Sequence, residues 1–280
     1  MGQRGRRNPN AVKQNLRFNF YLDSGIREKN IRIYDALLDN HNRIYKAVYE
    51  RLVTQTNEIQ KELWEEAEEA FRPSFTHEDM DFGDYVDDIE NYAHERIQEQ
   101  FLMHYQFELM SLSNLYQVFE QQIRQWLYTE MTHHLNEYIN QVRFDKGEEN
   151  YGEFYQNFGV ITKAFEELQL TFTEWWGEEL IVETEIWKAI RECNLLSNTY
   201  KHGSGRSATV LHSITPDYFK KTSNTLLMTL YGTTNLHTVL DIEKVSFEKY
   251  ITAMKGFWEK LKEHQNGSLM LDVDMTPEES

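Results

Sequence analysis

Residues 34–63 read YDALLDNHNRIYKAVYERLVTQTNEIQKEL, and the spacing of the apolar side chains in this stretch predicts a long helix. Apolar residues recur there in alternating steps of mostly four and three, and His41 and Gln55 fill two of the positions. This rhythm is typical of a helix that packs lengthwise against other helices. We interpret His41 as a polar residue that sets the register of that packing. The members of the series are Tyr34, Leu38, Tyr45, Val48, Leu52, Ile59 and Leu63.

The composition agrees with a helical protein. Only 4 prolines and 13 glycines interrupt 280 residues, of which 40% are hydrophobic. Such a chain is long enough to bury a large core and has few positions at which long helices must stop. We therefore predict an all-α fold, built from long antiparallel helices and a helical bundle.

Apolar periodicity places the remaining helices. The first helix is expected over residues 26–71 and a second over residues 85–142, either continuous or interrupted near residues 111–114. A polar turn at residues 145–152 separates the two halves, and helices follow at residues 153–168 and 178–202. Residues 206–240 are the least helical part, with a small hairpin or irregular packing. Ser246 precedes the last helix.

Charge is distributed unevenly along the chain. The net charge is −17, but residues 1–17 carry five basic residues and no acid. We interpret residues 1–17 as a basic flexible leader and residues 266–280 as an acidic tail. The two halves between them are residues 18–144 and residues 145–265. A protein with this much negative charge repels nucleic acid over most of its surface. Contact with a phosphate backbone therefore requires a local basic site.

Two classes of protein are disfavoured by the sequence. No run approaches the roughly 18 consecutive apolar residues that a membrane span needs, and the start of the chain lacks the apolar region of a signal peptide. The single cysteine, Cys193, lies in an apolar helical stripe and is expected to be a buried structural thiol. We therefore expect a cytoplasmic protein without a membrane partner.

The helix that ends at His202 carries the candidate site. At 100° per residue, Arg191, Leu195, Asn198 and His202 share one side of this helix, opposite its apolar stripe. Gly203 is expected to stop the helix and to leave His202 at an accessible end. The same polar ridge is also what a plain solvated face would look like, with Lys188, Glu192 and Thr199 near it. Leu195 in the middle of the ridge indicates that a second surface covers it.

The loop after His202 suits an anion. A Gly-Ser-Gly turn with Ser204 at its centre lies between Lys201 and Arg206. A cation and the backbone N–H groups of such a turn can contact a phosphate. The loop is not a Walker motif, because no strand precedes it and the Gly-Lys-Ser/Thr ending is missing.

The run LLSNTYKHG over residues 195–203 resembles the HEPN superfamily (higher eukaryotes and prokaryotes nucleotide-binding domain). The likeness extends to the Gly-Ser turn, the TPDYF element at residues 215–219, and a closing helix with Phe257 and Trp258. The resemblance implies a helical bundle, frequently dimeric. In its active members it implies a metal-independent endoribonuclease of toxin–antitoxin or anti-phage systems.

The resemblance also assigns roles. His202 would act as acid or base, Asn198 would orient the reacting groups, and Arg191 or Arg206 would contact phosphate. The family signature places an arginine four to six residues before the histidine, but Leu196 and Ser197 stand there in this chain. Arg191 lies eleven residues upstream, about 16 Å along the helix. Arg206, or Arg191 from a second subunit, would have to take the place of the missing arginine.

A metal-binding alternative lies at residues 130–134. Glu130 and His133 have the Glu-x-x-His spacing of carboxylate-bridged di-iron bundles, but no second Glu-x-x-His exists in the chain. We therefore expect neither a metal nor another cofactor.

Two functions follow as hypotheses. The first is a dimeric endoribonuclease of a toxin or defence system, with RNA as its partner. The second is a non-catalytic helical protein that forms oligomers or binds a partner protein, and the missing arginine favours it.

Overall fold

The structure is a computed structural model that describes residues 11–72, 82–131, 161–174, 177–222, 225–231 and 239–274. The fold is all-α, as predicted, and its strands pair only two at a time within those residues. The helices are α1 (Ser24–Ile44), α2 (Glu50–Thr54), α3 (Thr56–Phe71), α4 (Phe82–Met131), α5 (Ile161–Leu168), α6 (Glu185–His202), α7 (Arg206–Ile214), α8 (Leu227–Tyr231) and α9 (Phe247–Lys260). The strands are β1 (Ala11–Tyr21), β2 (Thr171–Glu174), β3 (Gly177–Leu180), β4 (Lys221–Thr222), β5 (Thr225–Leu226) and β6 (His264–Asp274).

The described residues fall into two compact units that do not follow the predicted division at residue 145. The first unit takes in Met1–Asp35, Asn114–Asn194 and Glu248–Ser280, and the second takes in Ala36–Ser113 and Leu195–Phe247. Because the divisions fall inside α1, α4 and α6, or beside the start of α9, each unit contains parts of the same long helices. The predicted turn at residues 145–152 lies outside the described residues.

The second unit contains a long antiparallel helical pair. The His41 ring contacts Glu108, and the Tyr92 hydroxyl donates to a Glu66 carboxylate oxygen at 2.8 Å, so residue numbers rise on one helix as they fall on the other. The pair buries a small apolar core formed by Leu52, Ile59, Leu63, Ala93 and Ile97. The coiled-coil-like spacing predicted this packing.

The first helix is not continuous, in contrast to the prediction. A π-helical segment occupies Tyr45–Tyr49, and the helix breaks at Gln55. The Thr54 and Thr56 hydroxyls donate to the carbonyl oxygens of Glu50 and Leu52, at 2.7 Å each. Threonine hydroxyls that bond to backbone carbonyls one turn back often bend helices. The second helix, by contrast, runs unbroken through residues 111–114.

The first unit has an aromatic core. Phe119, Phe165, Trp187 and Phe257 are almost fully buried, and the rings of Phe165 and Trp187 lie 5.0 Å apart. Trp126 and Trp258 are buried as well, so these tryptophans serve packing rather than an exposed binding surface.

The expected leader and tail need correction. Residues 11–17 belong to β1 and residues 266–274 belong to β6, and the two strands pair antiparallel over eleven residues, from Ala11 with Asp274 to Tyr21 with His264. Phe18 and Phe20 are 2% exposed, so one face of this ribbon joins the core. The remaining residues of the expected leader and tail lie outside the described part of the chain.

Candidate functional site

Two helices meet at the candidate site through a three-residue link. Helix α6 ends at His202 because Gly203 takes the left-handed conformation, with φ of 69°. The Gly203 N–H donates to the Thr199 carbonyl oxygen at 2.8 Å, and the Gly205 N–H donates to the Gly203 carbonyl oxygen at 2.7 Å. Helix α7 starts at Arg206, and its N-cap residue, Gly205, has no side chain with which to cap it. The first N–H groups of a helix have no partner within the helix itself, so they are groups that a ligand can bind.

The polar side chains of this helix end are accessible. Lys201, His202, Ser204 and Arg206 are exposed, and Asn198 is half-buried. The side chains of Lys201, His202 and Arg206 make no hydrogen bond or ion pair with any residue that the structure describes. The imidazole and two cations can therefore contact a ligand without first leaving another partner.

The surrounding sequence is unusually poor in acid. About one residue in six of the chain is Asp or Glu, yet none occurs between Glu192 and Asp217. That stretch contains Lys201 and Arg206 as its cations. An anion at the helix end would therefore meet no carboxylate from the local chain, which is the arrangement that phosphate binding requires.

Arg191 does not join this group within one chain. It is exposed, as expected for the ridge, but it lies eleven residues before His202 on α6 and belongs to the first unit. The rise between the two residues is about 16 Å, which a single arginine side chain does not span.

Two of the three positions at which the family signature would place its arginine point inward. Leu196 and Ser197 are each 1% exposed, and the Ser197 hydroxyl lies 3.0 Å from that of Ser113. An arginine at either position could not reach the face that carries His202. Asn198, four residues before His202, is the polar residue on the correct side of the helix. The spacing in the family signature does not indicate which side of the helix each position faces, whereas the angle of 100° per residue does.

Two residues near the predicted solvated face are in fact buried. Thr199 is fully buried, and Glu192 is 8% exposed. The Glu192 carboxylate accepts hydrogen bonds from the Lys249 ammonium at 2.7 Å and the Tyr250 hydroxyl at 2.5 Å. Cys193 is buried too, and burial raises the pKa of its thiol, as expected for a structural cysteine.

A second polar cluster, which the sequence reasoning did not identify, lies in the second unit. His41 Nε2 lies 3.1 Å from Glu108 Oε2, and His104 Nε2 lies 3.5 Å from Glu108 Oε1. Burial alone would raise the pKa of the Glu108 carboxyl, but its contacts with His104 and His41 outweigh burial and lower that pKa to about 2. The four-residue spacing of His104 and Glu108 on one helix was the available signal.

The predicted metal alternative gains no support. The Glu130 carboxylate accepts a hydrogen bond from the Tyr21 N–H at 2.9 Å, while His133 lies outside the described residues. Among the residues that are described, no group of three His, Cys, Asp or Glu side chains is placed to hold a metal ion.

Comparison with known proteins identifies no relative: no family model, no curated protein and no solved structure matches this chain. None of the helices in the described ranges combines the length and apolar character that a bilayer crossing requires.

Proposed function

We propose that the chain is a HEPN-type RNA-binding protein that cleaves RNA without a metal ion, as a dimer, through the α6–α7 helix end. The observation that carries this proposal is an exposed His202, without a partner among the described residues, beside Lys201 and Arg206 in an acid-free stretch of an otherwise acidic chain.

The proposed reaction needs only proton transfer and charge stabilisation. As a base, the imidazole of His202 takes the proton of the ribose 2′-hydroxyl, and the 2′-oxygen attacks the adjacent phosphorus. The bond from phosphorus to the 5′-oxygen breaks, and the leaving oxygen receives a proton from an acid or from water. The products are a 2′,3′-cyclic phosphate and a 5′-hydroxyl. Asn198 on the same face would orient the ring or the substrate.

The phosphate would be held by the loop and the start of α7. The N-terminus of a helix carries partial positive charge and open N–H groups, which favour an anion. Lys201 and Arg206 would add full charges, and the Ser204 hydroxyl could donate a hydrogen bond. A guanidinium can bind two phosphate oxygens at once and stabilises the extra negative charge of the transition state.

A second copy would complete the site. Arg191 of one copy cannot serve its own His202, but a two-fold arrangement brings equivalent helices of two copies together. Leu195, which lies between Arg191 and Asn198 on the ridge, is half-buried and apolar, so it suits contact with another protein surface. In this arrangement Arg191 from the second copy would contact the phosphate at His202.

The biological role would follow from the chemistry. A cytoplasmic ribonuclease with little base recognition damages cellular RNA, which suits a toxin or an anti-phage effector. Growth arrest on expression, lost when His202 is replaced, would be the cellular sign of this role.

The second candidate function is a non-catalytic helical protein that binds a partner protein or forms oligomers. The inward-facing Leu196 and Ser197 favour it, since the expected arginine is absent from the face of α6 that carries His202. On this alternative the helix end would bind without cleaving.

RNA cleavage in EDTA tests the proposal. Purified protein is incubated with synthetic single-stranded and hairpin RNAs, with wild type beside His202→Ala and His94→Ala. His94 is another exposed histidine, so it controls for general loss of imidazole. We expect His202→Ala to lower the cleavage rate at least a hundredfold, the typical contribution of a general acid or base, and His94→Ala to leave the rate unchanged.

Two outcomes contradict the ribonuclease proposal. Equal cleavage by wild type and His202→Ala would indicate a contaminating nuclease. No cleavage by wild type, at concentrations where its mass in solution is that of a dimer, would leave the non-catalytic function in its place.

A further inference from the structure

A large open cavity lies in the second unit, and none of residues 195–206 is among the residues that line it. Its volume is about 630 Å³, within the range of roughly 300 to 1,000 Å³ that is usual for small-molecule sites. All residues that line it belong to the second unit. They come from α4, from Val53 in α2, from Lys220 and from residues 240–243.

One part of the lining is apolar and exposed. Phe101 is 38% exposed and Leu102 is 36% exposed, and Leu240 and Ile242 also line the cavity. Exposed aromatic and aliphatic side chains that line a concavity offer an apolar contact surface to the body of a ligand.

The charged part of the lining is mostly acidic. Glu95, Glu99, Asp241 and Glu243 line the cavity, and Lys220 is the one Lys or Arg among the lining residues, which leaves a balance of −3. Glu99 is paired with Arg96 at 3.1 Å, and Asp241 is paired with Lys244 at 3.4 Å.

Two of the lining acids are not paired in this way. Glu95 and Glu243 make no ion pair with any residue that the structure describes. The cavity is thus a concave site with two carboxylates available to a ligand, and the acidity of the whole chain adds to its negative potential.

A buried histidine also lines the cavity. The His104 side chain is 10% exposed, and its Nε2 lies 3.5 Å from Glu108 Oε1. The imidazole therefore already has an acidic neighbour, and the carboxylates available to a ligand are those of Glu95 and Glu243.

From these observations we infer that the cavity binds a small organic ammonium ion. The apolar part of the ligand would lie against Phe101 and Leu102, and its ammonium group would lie near Glu95 and Glu243. This site is separate from the proposed ribonuclease site, and its existence does not depend on RNA cleavage.

Binding of matched small molecules tests the charge preference. Phenethylammonium, phenethyl alcohol and hydrocinnamate share a phenyl ring and a short chain but are cationic, neutral and anionic. Titration of the full chain at low ionic strength, followed by calorimetry or NMR shifts, should show the ammonium binding at least tenfold more tightly than the alcohol. Hydrocinnamate should bind more weakly than either.

Variants of the full chain test the location. Glu95→Gln with Glu243→Gln should weaken phenethylammonium binding five- to tenfold, and Phe101→Ala should weaken binding of the ammonium and the alcohol alike. Lys220→Gln should strengthen ammonium binding about twofold, because it removes a like charge. The matched controls are Glu69→Gln with Glu90→Gln and Met103→Ala, which are exposed residues of the same unit outside the cavity.

The inference is overturned if the alcohol binds as tightly as the ammonium ion, or if the paired variants at residues 95 and 243 match the control pair. It is also overturned if the ammonium ion does not bind to wild type. Circular dichroism of each variant separates loss of binding from loss of fold.

Discussion

Individual side chains on α6 show which exposures helical periodicity predicts and which it does not. The ridge was placed correctly, since Arg191 and His202 are exposed and Leu195 and Asn198 are half-buried. Glu192 was misjudged because its partners, Lys249 and Tyr250, lie 57 and 58 residues away and no local pattern reports them. Burial of a charged residue depends on such distant partners.

His41 gives the same lesson. Its position in the first helix predicts a residue that sets register, and no local pattern indicates that Glu108, 67 residues away, is its partner. Its ring in fact lies between the rings of Phe107 and Phe247, at centroid distances of 4.9 and 4.0 Å, and it contacts Glu108. The structure therefore gives His41 an electrostatic partner in addition to a packing role.

The Glu108 contacts predict a pH-dependent contribution to stability. Because folding lowers the pKa of this carboxyl from 4.5 to about 2, its stabilising effect is present above pH 4.5 and is lost as the pH falls toward 2. Glu108→Gln should lower the free energy of unfolding by about 1 to 2 kcal/mol near neutral pH.

Denaturant unfolding at a series of pH values measures this effect. The difference between wild type and Glu108→Gln should shrink between pH 4.5 and 2. Glu90→Gln, at an exposed position of the same helix, should differ little from wild type throughout. A difference for Glu108→Gln that is absent, or that grows in acid, would contradict the proposed role of the cluster.

Helices and strands were predicted unequally well. Long helices were found because their apolar periodicity repeats over many turns, as in α4. The sequence does not predict the terminal ribbon, because β1 pairs with a strand at the opposite end of the chain and the basic charge of residues 1–17 favours a flexible leader. The alternation of buried Phe18, Phe20 and Leu22 with exposed Arg17 and Asn19 was the signal that could have found β1.

The end of α6 provides a test of how the site is positioned. Gly203 has φ of 69°, a conformation that costs a residue with a Cβ about 1 kcal/mol. Gly203→Ala should therefore lower the free energy of unfolding by about 1 kcal/mol and should also reduce RNA cleavage by displacing His202.

Gly205→Ala is the matched comparison. Gly205 has φ of −91°, and an added Cβ there meets open space. This variant should lose less stability than Gly203→Ala in the same denaturant titration. If the two variants were equally stable, the left-handed turn would not be what ends the helix.

At the scale of the whole molecule, the predicted division near residue 145 lies outside the described residues, and the two compact units are discontinuous in sequence. Each unit is assembled from segments far apart in sequence, so composition shifts and polar turns along the chain could not locate them. The residues of the proposed site lie at one helix end, and the proposal takes the arginine from a second copy, which a single sequence does not position.

Mixing two inactive variants tests whether the site is shared between copies. His202→Ala and Arg191→Gln should each be nearly inactive alone. After co-refolding in equal amounts, half of the dimers would be mixed and each would contain one intact site, so roughly a quarter of wild-type activity should return. A mixture that stays as inactive as its components would show that His202 and Arg191 do not act across a dimer.

One RNA is incubated with the protein, once unmodified and once with a single 2′-deoxynucleotide at the cut site, and the cleavage products are mapped. The result decides whether the helix end performs the proposed chemistry. With wild type in EDTA, we predict products that end in a 2′,3′-cyclic phosphate and a 5′-hydroxyl, and no cut where the 2′-hydroxyl is missing. Cleavage at the 2′-deoxy position, or a product with a 5′-phosphate, would contradict the role proposed for His202.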